Sequence, residues 1–96
     1  QVWVVDVTDG SSARDLTHTL RDHGVTADRS FDQRSMRSQM RSANRSEAEI
    51  ALIIGEQEVD EDTVAIRMLR DEGTGQIVVP RSSAVAEVQR LLGLES

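Results

Sequence analysis

The chain alternates short apolar runs with polar stretches of helical period. Val2 to Val7 (VWVVDV) is almost continuously apolar and β-branched, the pattern of an interior strand covered on both faces, and Gly10 breaks it. Ala13, Leu16 and Leu20 then recur on one helical face. Ser12 with Asp15 three residues on has the form of a capping box, and Gly24 supplies a C-terminal stop, which predicts a helix of about three turns. Val25 to Arg29 reads as a short second strand and Ser30 to Gln33 as a loop leading into a second helix that runs to about Ser46. The third strand, Ile50 to Ile54, is wholly apolar and stops at Gly55. After an acidic connection, EQEVDED, the segment Thr63 to Leu69 alternates Val64, Ile66 and Met68 with Thr63, Ala65 and Arg67, the period of a strand with one face less buried. Gly73 and Gly75 make a turn, Gln76 to Val79 forms a hairpin partner, and Pro80 ends it. Ser82 or Ser83 caps a last helix whose Val85, Val88, Leu91 and Leu92 face the core. The predicted order is β-α-β-α-β-β-β-α: an α/β fold, a mixed five-stranded sheet with three helices on its faces, as one domain over residues 1–96.

The second helix changes the picture most. Arg34, Arg37, Arg41 and Arg45 fall within roughly 80° of helical arc, while Met36, Met40 and Ala43 cluster on the other side. The expectation is that the methionines and Ala43 pack inward and the arginines face out. From Arg29 to Arg45 there are five arginines against one acid, Asp32, in a chain whose net charge is −6. Charge is segregated, and a polyanion such as RNA is the natural partner of the basic side. A solvated arginine face that touches nothing is the alternative.

At 96 residues and 38% apolar content the chain can bury one modest core. It opens directly on a strand without an initiator Met, and the expectation is an excised piece of a longer soluble protein. The longest apolar run is too short to span a bilayer, so no membrane partner is expected. All eleven basic residues are arginine, which either GC-rich coding or a salty cytoplasm would produce. The absence of cysteine removes disulfides, thiolate catalysis and thiolate zinc sites together. His18 and His23, at i and i+5, do not share a face as a metal pair would, and the acids Glu56 to Asp62 lack the alternation and turn glycine of a calcium loop. No Gly-rich phosphate loop or Ser-His-Asp constellation can be placed, so catalysis within these residues is not expected. A receiver-type signalling domain would need an aspartate at the end of the third strand, where Ile54 and Gly55 stand, and a lysine.

The run FDQRSMRSQMRSANRSEAEIALIIGEQE closely resembles the C-terminal anticodon-binding domain of histidyl-tRNA synthetase, in which a basic helix with a pattern like (K/R)SMKxQMKxAxR leads to an apolar strand ending in GExE. VWVVDV, TVAIRMLR and QIVVP also fit, so the resemblance covers essentially the whole chain. The flanking parts fit the wider class II group, including the threonine, proline and glycine enzymes. Two positions depart from the histidine pattern: Gln33 stands where glycine is common, and Arg37 and Arg41 replace lysines, which keeps the charge and adds planar stacking and bidentate phosphate contact.

The resemblance implies a binding module that positions tRNA, through its anticodon stem-loop, for a catalytic core upstream in the same polypeptide. It implies no cofactor in this domain, ATP for the full-length enzyme, a cytoplasmic setting and a homodimeric full-length protein. A non-catalytic, synthetase-like regulatory or tRNA-sensing domain is the alternative of another class. The positions matching the family's reading surface are the loop at Gln33 and Arg34, the helix exit near Glu47, Glu58 of GExE, and Arg67, with Arg37, Arg41 and Arg45 supplying phosphate contacts. A carboxylate such as Glu58 can accept from guanine N1 and N2, Gln33 can donate and accept, and a guanidinium at Arg67 can stack on a base or hold a phosphate. The plain alternatives are a solvated acid at Glu58 and an ordinary exposed strand residue at Arg67.

Overall fold

The structure, a computed structural model, describes residues 2–8, 10–29, 35–69 and 76–93. Its strands are β1 (Val2–Asp6), β2 (Ala27–Arg29), β3 (Ile50–Ile54), β4 (Thr63–Met68) and β5 (Gln76–Pro80). They form one sheet in the order β2-β1-β3-β4-β5, in which β1 runs parallel to β2 and β3, and β4 antiparallel to β3 and β5. Helices α1 (Ser11–Asp22), α2 (Met36–Arg45), α3 (Glu56–Glu61) and α4 (Ala84–Leu91) complete the described fold, with a single 3₁₀ turn, Arg81–Ser83, before α4. The predicted mixed five-stranded α/β sheet is therefore present, with its strands and three principal helices in the predicted order. The glycine turn expected between β4 and β5 and the loop expected from Ser30 to Gln33 lie outside the described residues.

Strand side chains alternate across the sheet, and both faces are apolar for the same reason that the runs read as buried strands. On one face Val2, Val4, Ile50, Leu52, Ile54, Val64 and Ile66 pack with Ala13, Leu16 and Leu20 of α1 and with Ala84 and Val88 of α4. On the other face lie Val5, Ala51, Ile53 and Ala65, with Trp3, Val7, Met40 and Leu69 packed around them. Helix α2 packs against β1 on this second face. The β4–β5 half stays open, so Arg67, Gln76 and Val78 are exposed there.

Three local expectations are corrected. The acidic segment is not a plain connection but carries α3, because Glu56 and Glu58 stand in a first helical turn, where the helix dipole favours negative charge. Ser12 does not cap α1: the helix starts at Ser11 after Gly10, and the capping carboxylate comes from β1. Asp6 Oδ2 accepts from the Ala13 amide at 3.1 Å, Asp6 Oδ1 accepts from the Thr8 amide at 2.7 Å and from the Thr8 hydroxyl, and Ser12 Oγ instead accepts from Arg81 Nη1 at 3.0 Å. Ser83 makes no side-chain cap for α4, which the 3₁₀ turn feeds directly.

Candidate nucleic-acid interface

Helix α2 begins where Ser35, in extended conformation, accepts from the Ser38 amide at 3.2 Å. A serine cap satisfies one of the amides that the first turn leaves open. Arg37, Arg41 and Arg45 are all exposed, and among the described residues none has a carboxylate partner. The stripe on the helix therefore consists of these three; Arg34 precedes the helix and, with Gln33, lies outside the described residues.

The packed side differs from the expectation. Ala43 is fully buried and Met40 half-buried, yet Met36 is 37% exposed and Gln39 only 2%. Side chains lean toward a helix's N-terminus, so Met36, the first residue, leans off its end. Measured by the centre of the two buried positions, Gln39 and Ala43, the helix is turned about 45° toward Gln39 from where apolarity alone would put it. Sequence reasoning missed Gln39 because a polar residue is buried only where partners await it: Oε1 accepts from the Asp6 amide at 3.0 Å and Nε2 donates to the Asp6 carbonyl at 2.8 Å.

Glu58 is half-buried, and its Oε1 accepts from the Gly55 amide at 2.9 Å. This is half of a capping box, since Gly55 has no side chain to return the bond. A Cβ at Gly55 would lie 3.0 Å from that same oxygen, a tight contact that the flexible carboxylate would have to relieve by a small shift. The other carboxylate oxygen makes no hydrogen bond among the described residues. Glu47, at the exit of α2, is exposed and holds φ at 63°, a left-handed conformation that costs a non-glycine residue about 1 kcal/mol or more.

Arg67 lies opposite Ala51 on one side and Gln76 on the other, and Ala51 lies opposite Trp3, so Trp3, Ala51, Arg67 and Gln76 form one row across the sheet. Gly55 is four residues further along β3 than Ala51, or about 13 Å at strand rise. Gln39 ties the start of α2 to Asp6, which pairs with Ile54, while the exit of α2 leads back to Ile50. The candidates thus divide between two ends of the second face. Arg37 and Glu58 belong to the end where β3 finishes; Arg45, Glu47 and Arg67 belong to the end where β3 starts. Arg41 lies between, and Glu58 and Arg67 are not brought together.

Among the described residues there is no group of three or more His, Asp or Glu able to hold a metal ion, and no helix long and apolar enough to cross a membrane. The described arrangement is a surface one: three exposed guanidiniums along α2, a half-buried carboxylate at the start of α3 and an exposed arginine on the open half of the sheet.

Among the proteins this chain is similar to are tRNA ligases. The histidine–tRNA ligase of Natranaerobius thermophilus is 37% identical over 78 residues, covering 81% of this chain and 18% of that protein. That of Laribacter hongkongensis is 35% identical over 89 residues, covering 91% of this chain and 21% of that protein. The chain therefore spans about a fifth of the length of the curated relatives it matches. Among solved structures, histidyl-tRNA synthetase from Nostoc sp. PCC 7120 superposes with a TM-score of 0.81 at 23% identity, over 96% of this chain and 22% of that one. The RNA-binding domain of threonyl-tRNA synthetase from Cryptosporidium parvum also gives 0.81, at 17% identity over 94% of this chain and 23% of that one, which shows the shared fold. The model of the anticodon binding domain matches residues 1–91, and the chain belongs to that family.

Proposed function

We propose that the chain is the anticodon-binding module of a histidine–tRNA ligase, holding the anticodon stem-loop of tRNA while a catalytic core elsewhere in the same polypeptide uses ATP to charge it with histidine. The observation that carries this reading is the outward line of Arg37, Arg41 and Arg45, without carboxylate partners among the described residues, on a helix beside the open half of the sheet. Sequence identity of 35–37% to histidine–tRNA ligases supports histidine, and among superposed structures the histidine enzyme at 23% stands above the threonine enzyme at 17% and the proline enzyme at 12%. The arginines hold phosphates. Arg67 stacks on a base or holds a phosphate, Glu58 accepts from a base edge through its free oxygen, and Glu47 borders the loop, as do Gln33 and Arg34. No catalysis falls to this domain, and it needs no cofactor of its own. The full-length protein is a cytoplasmic homodimer.

The test is tRNA binding by the intact protein across salt concentrations. Replacing Arg37 and Arg41 with Gln should weaken binding to all tRNAs alike and reduce the salt slope by up to about 0.7–0.9 for each phosphate no longer held. An unchanged slope and affinity would make the stripe a merely solvated face. A wild-type preference for threonine or proline tRNA would move the domain to a sister enzyme.

A further inference from the structure

Gln39 finishes a strand pairing that β2 leaves short. The Val2 amide donates to the Thr26 carbonyl at 3.0 Å, so the even-numbered residues of β1 turn their backbone groups toward β2. The pairing of β2 with β1 ends at Arg29 opposite Val4. Asp6 is the next even residue, and Gln39 meets both its backbone groups, accepting from its amide at 3.0 Å and donating to its carbonyl at 2.8 Å. The side-chain amide stands where one more strand residue would. The neighbouring contacts of α2 are Ala43, fully buried, and Met40, a flexible thioether. Such apolar contacts resist separation but are not directional. Two hydrogen bonds in one amide plane set both the roll of the helix and its position along β1. The roll decides where Arg37, Arg41 and Arg45 point.

We propose that Gln39 is the positioning residue of the arginine-bearing helix, aiming its guanidiniums by clamping α2 to the backbone of Asp6. The proposal rests on the RNA-binding reading above. Among the described residues the ionisable group beside the clamp on β1 is the Asp6 carboxylate, which is engaged by Thr8 and the Ala13 amide; β2 adds Arg29, opposite Val4, and the three arginines of α2 project from its opposite side.

Two variants of the intact protein test it, each monitored by binding of a tRNA anticodon stem-loop and by hydrogen exchange of the peptide covering residues 2–8. Gln39→Leu keeps the bulk and loses both bonds. Gln39→Glu keeps one donor and one acceptor when protonated and has no donor when ionised. At about pH 8 both variants should bind about tenfold more weakly than wild type, with faster exchange in residues 2–8. Burial raises a carboxyl at this position above the ordinary carboxylate range, so at about pH 5.5 the Gln39→Glu protein should return toward wild type measured at the same pH, while Gln39→Leu stays weak. Because the glutamate variant is compared with itself across pH, a leucine variant that failed to fold would not remove the test. Wild-type affinity in Gln39→Leu, or restored exchange protection in Gln39→Glu without restored binding, would overturn the proposal. Should wild type bind no RNA, the functional reading falls instead, and acid-restored protection of residues 2–8 in Gln39→Glu still decides whether the clamp exists.

Discussion

Asp6 is the residue whose loss should be felt most for its size. The residue is 5% exposed, and among the described residues its carboxylate takes three donors: the Thr8 amide, the Thr8 hydroxyl and the Ala13 amide at the start of α1. Asp6→Ala strands all three. The Ala13 amide belongs to a residue only 3% exposed, so water reaches it poorly, and an unpaired buried amide costs about 1–3 kcal/mol. Thr8 is half-buried and can recover part of its bonding from solvent. Charge-assisted hydrogen bonds are worth about twice neutral ones, which brings the expected loss to about 3–4 kcal/mol. A domain of 96 residues has roughly 5–14 kcal/mol in all. Urea unfolding should therefore show a large fall in midpoint with an unchanged slope. Asp6→Asn, which keeps one acceptor but turns an NH₂ toward a donor, should lose about half as much, and Thr8→Ala about 1 kcal/mol. A loss below about 1 kcal/mol for Asp6→Ala would show that water replaces the carboxylate and that α1 does not depend on this cap.

Met40→Asp should destabilise by about 3 kcal/mol in the same assay, because it places a charge against Val5, Ala51, Ile53 and Ala65, whereas Arg41→Asp on the exposed side should cost under about 1 kcal/mol. Equal losses would mean that the helix is turned differently. Glu47→Gly should raise thermal stability by about 1 kcal/mol by relieving the left-handed φ of 63°, and a lowered melting temperature would contradict that geometry. Glu58→Ala should lose about 1 kcal/mol of stability with its cap, while Glu58→Gln keeps the acceptor for the Gly55 amide and stays near wild type. Both should narrow discrimination between cognate and anticodon-swapped tRNA in aminoacylation by about 1–3 kcal/mol, with adenylate formation intact; an unchanged ratio in both would leave Glu58 a cap alone.

The strands were legible because β-branched runs such as VWVVDV and IALII have no other stable use at that length, and the alternation from Thr63 onward told the half-open strand from the covered ones. Helix α3 was not legible: its Val59 is exposed, so no apolar period marks it, and its glutamates look like a solvated turn until the first-turn position is known. Ser12 with Asp15 shows the limit of local patterns, since the real cap reaches α1 from Asp6, seven residues before Ala13. The arginine face was readable from spacing because exposure needs no partner. Gln39 was not, because its burial depends on two backbone groups of a strand more than thirty residues away.

The carboxylate at the end of β1 also bears on where a polyanion can settle. The chain adds β2 on one side of β1 and β3 on the other, all three parallel, and in open α/β sheets such a switch in strand order leaves a crevice beyond the strand ends where phosphate groups usually lodge against helix N-termini. Here the chain supplies its own anions to that crevice: Asp6 takes the first-turn amide of α1 that a phosphate would use, and Glu58 takes the amide of Gly55 that opens α3. A nucleotide phosphate arriving there would meet negative charge in place of free donors. With those two amides already engaged, a phosphate-bearing ligand of the proposed kind would find its donors among the guanidiniums of α2 rather than at these strand ends.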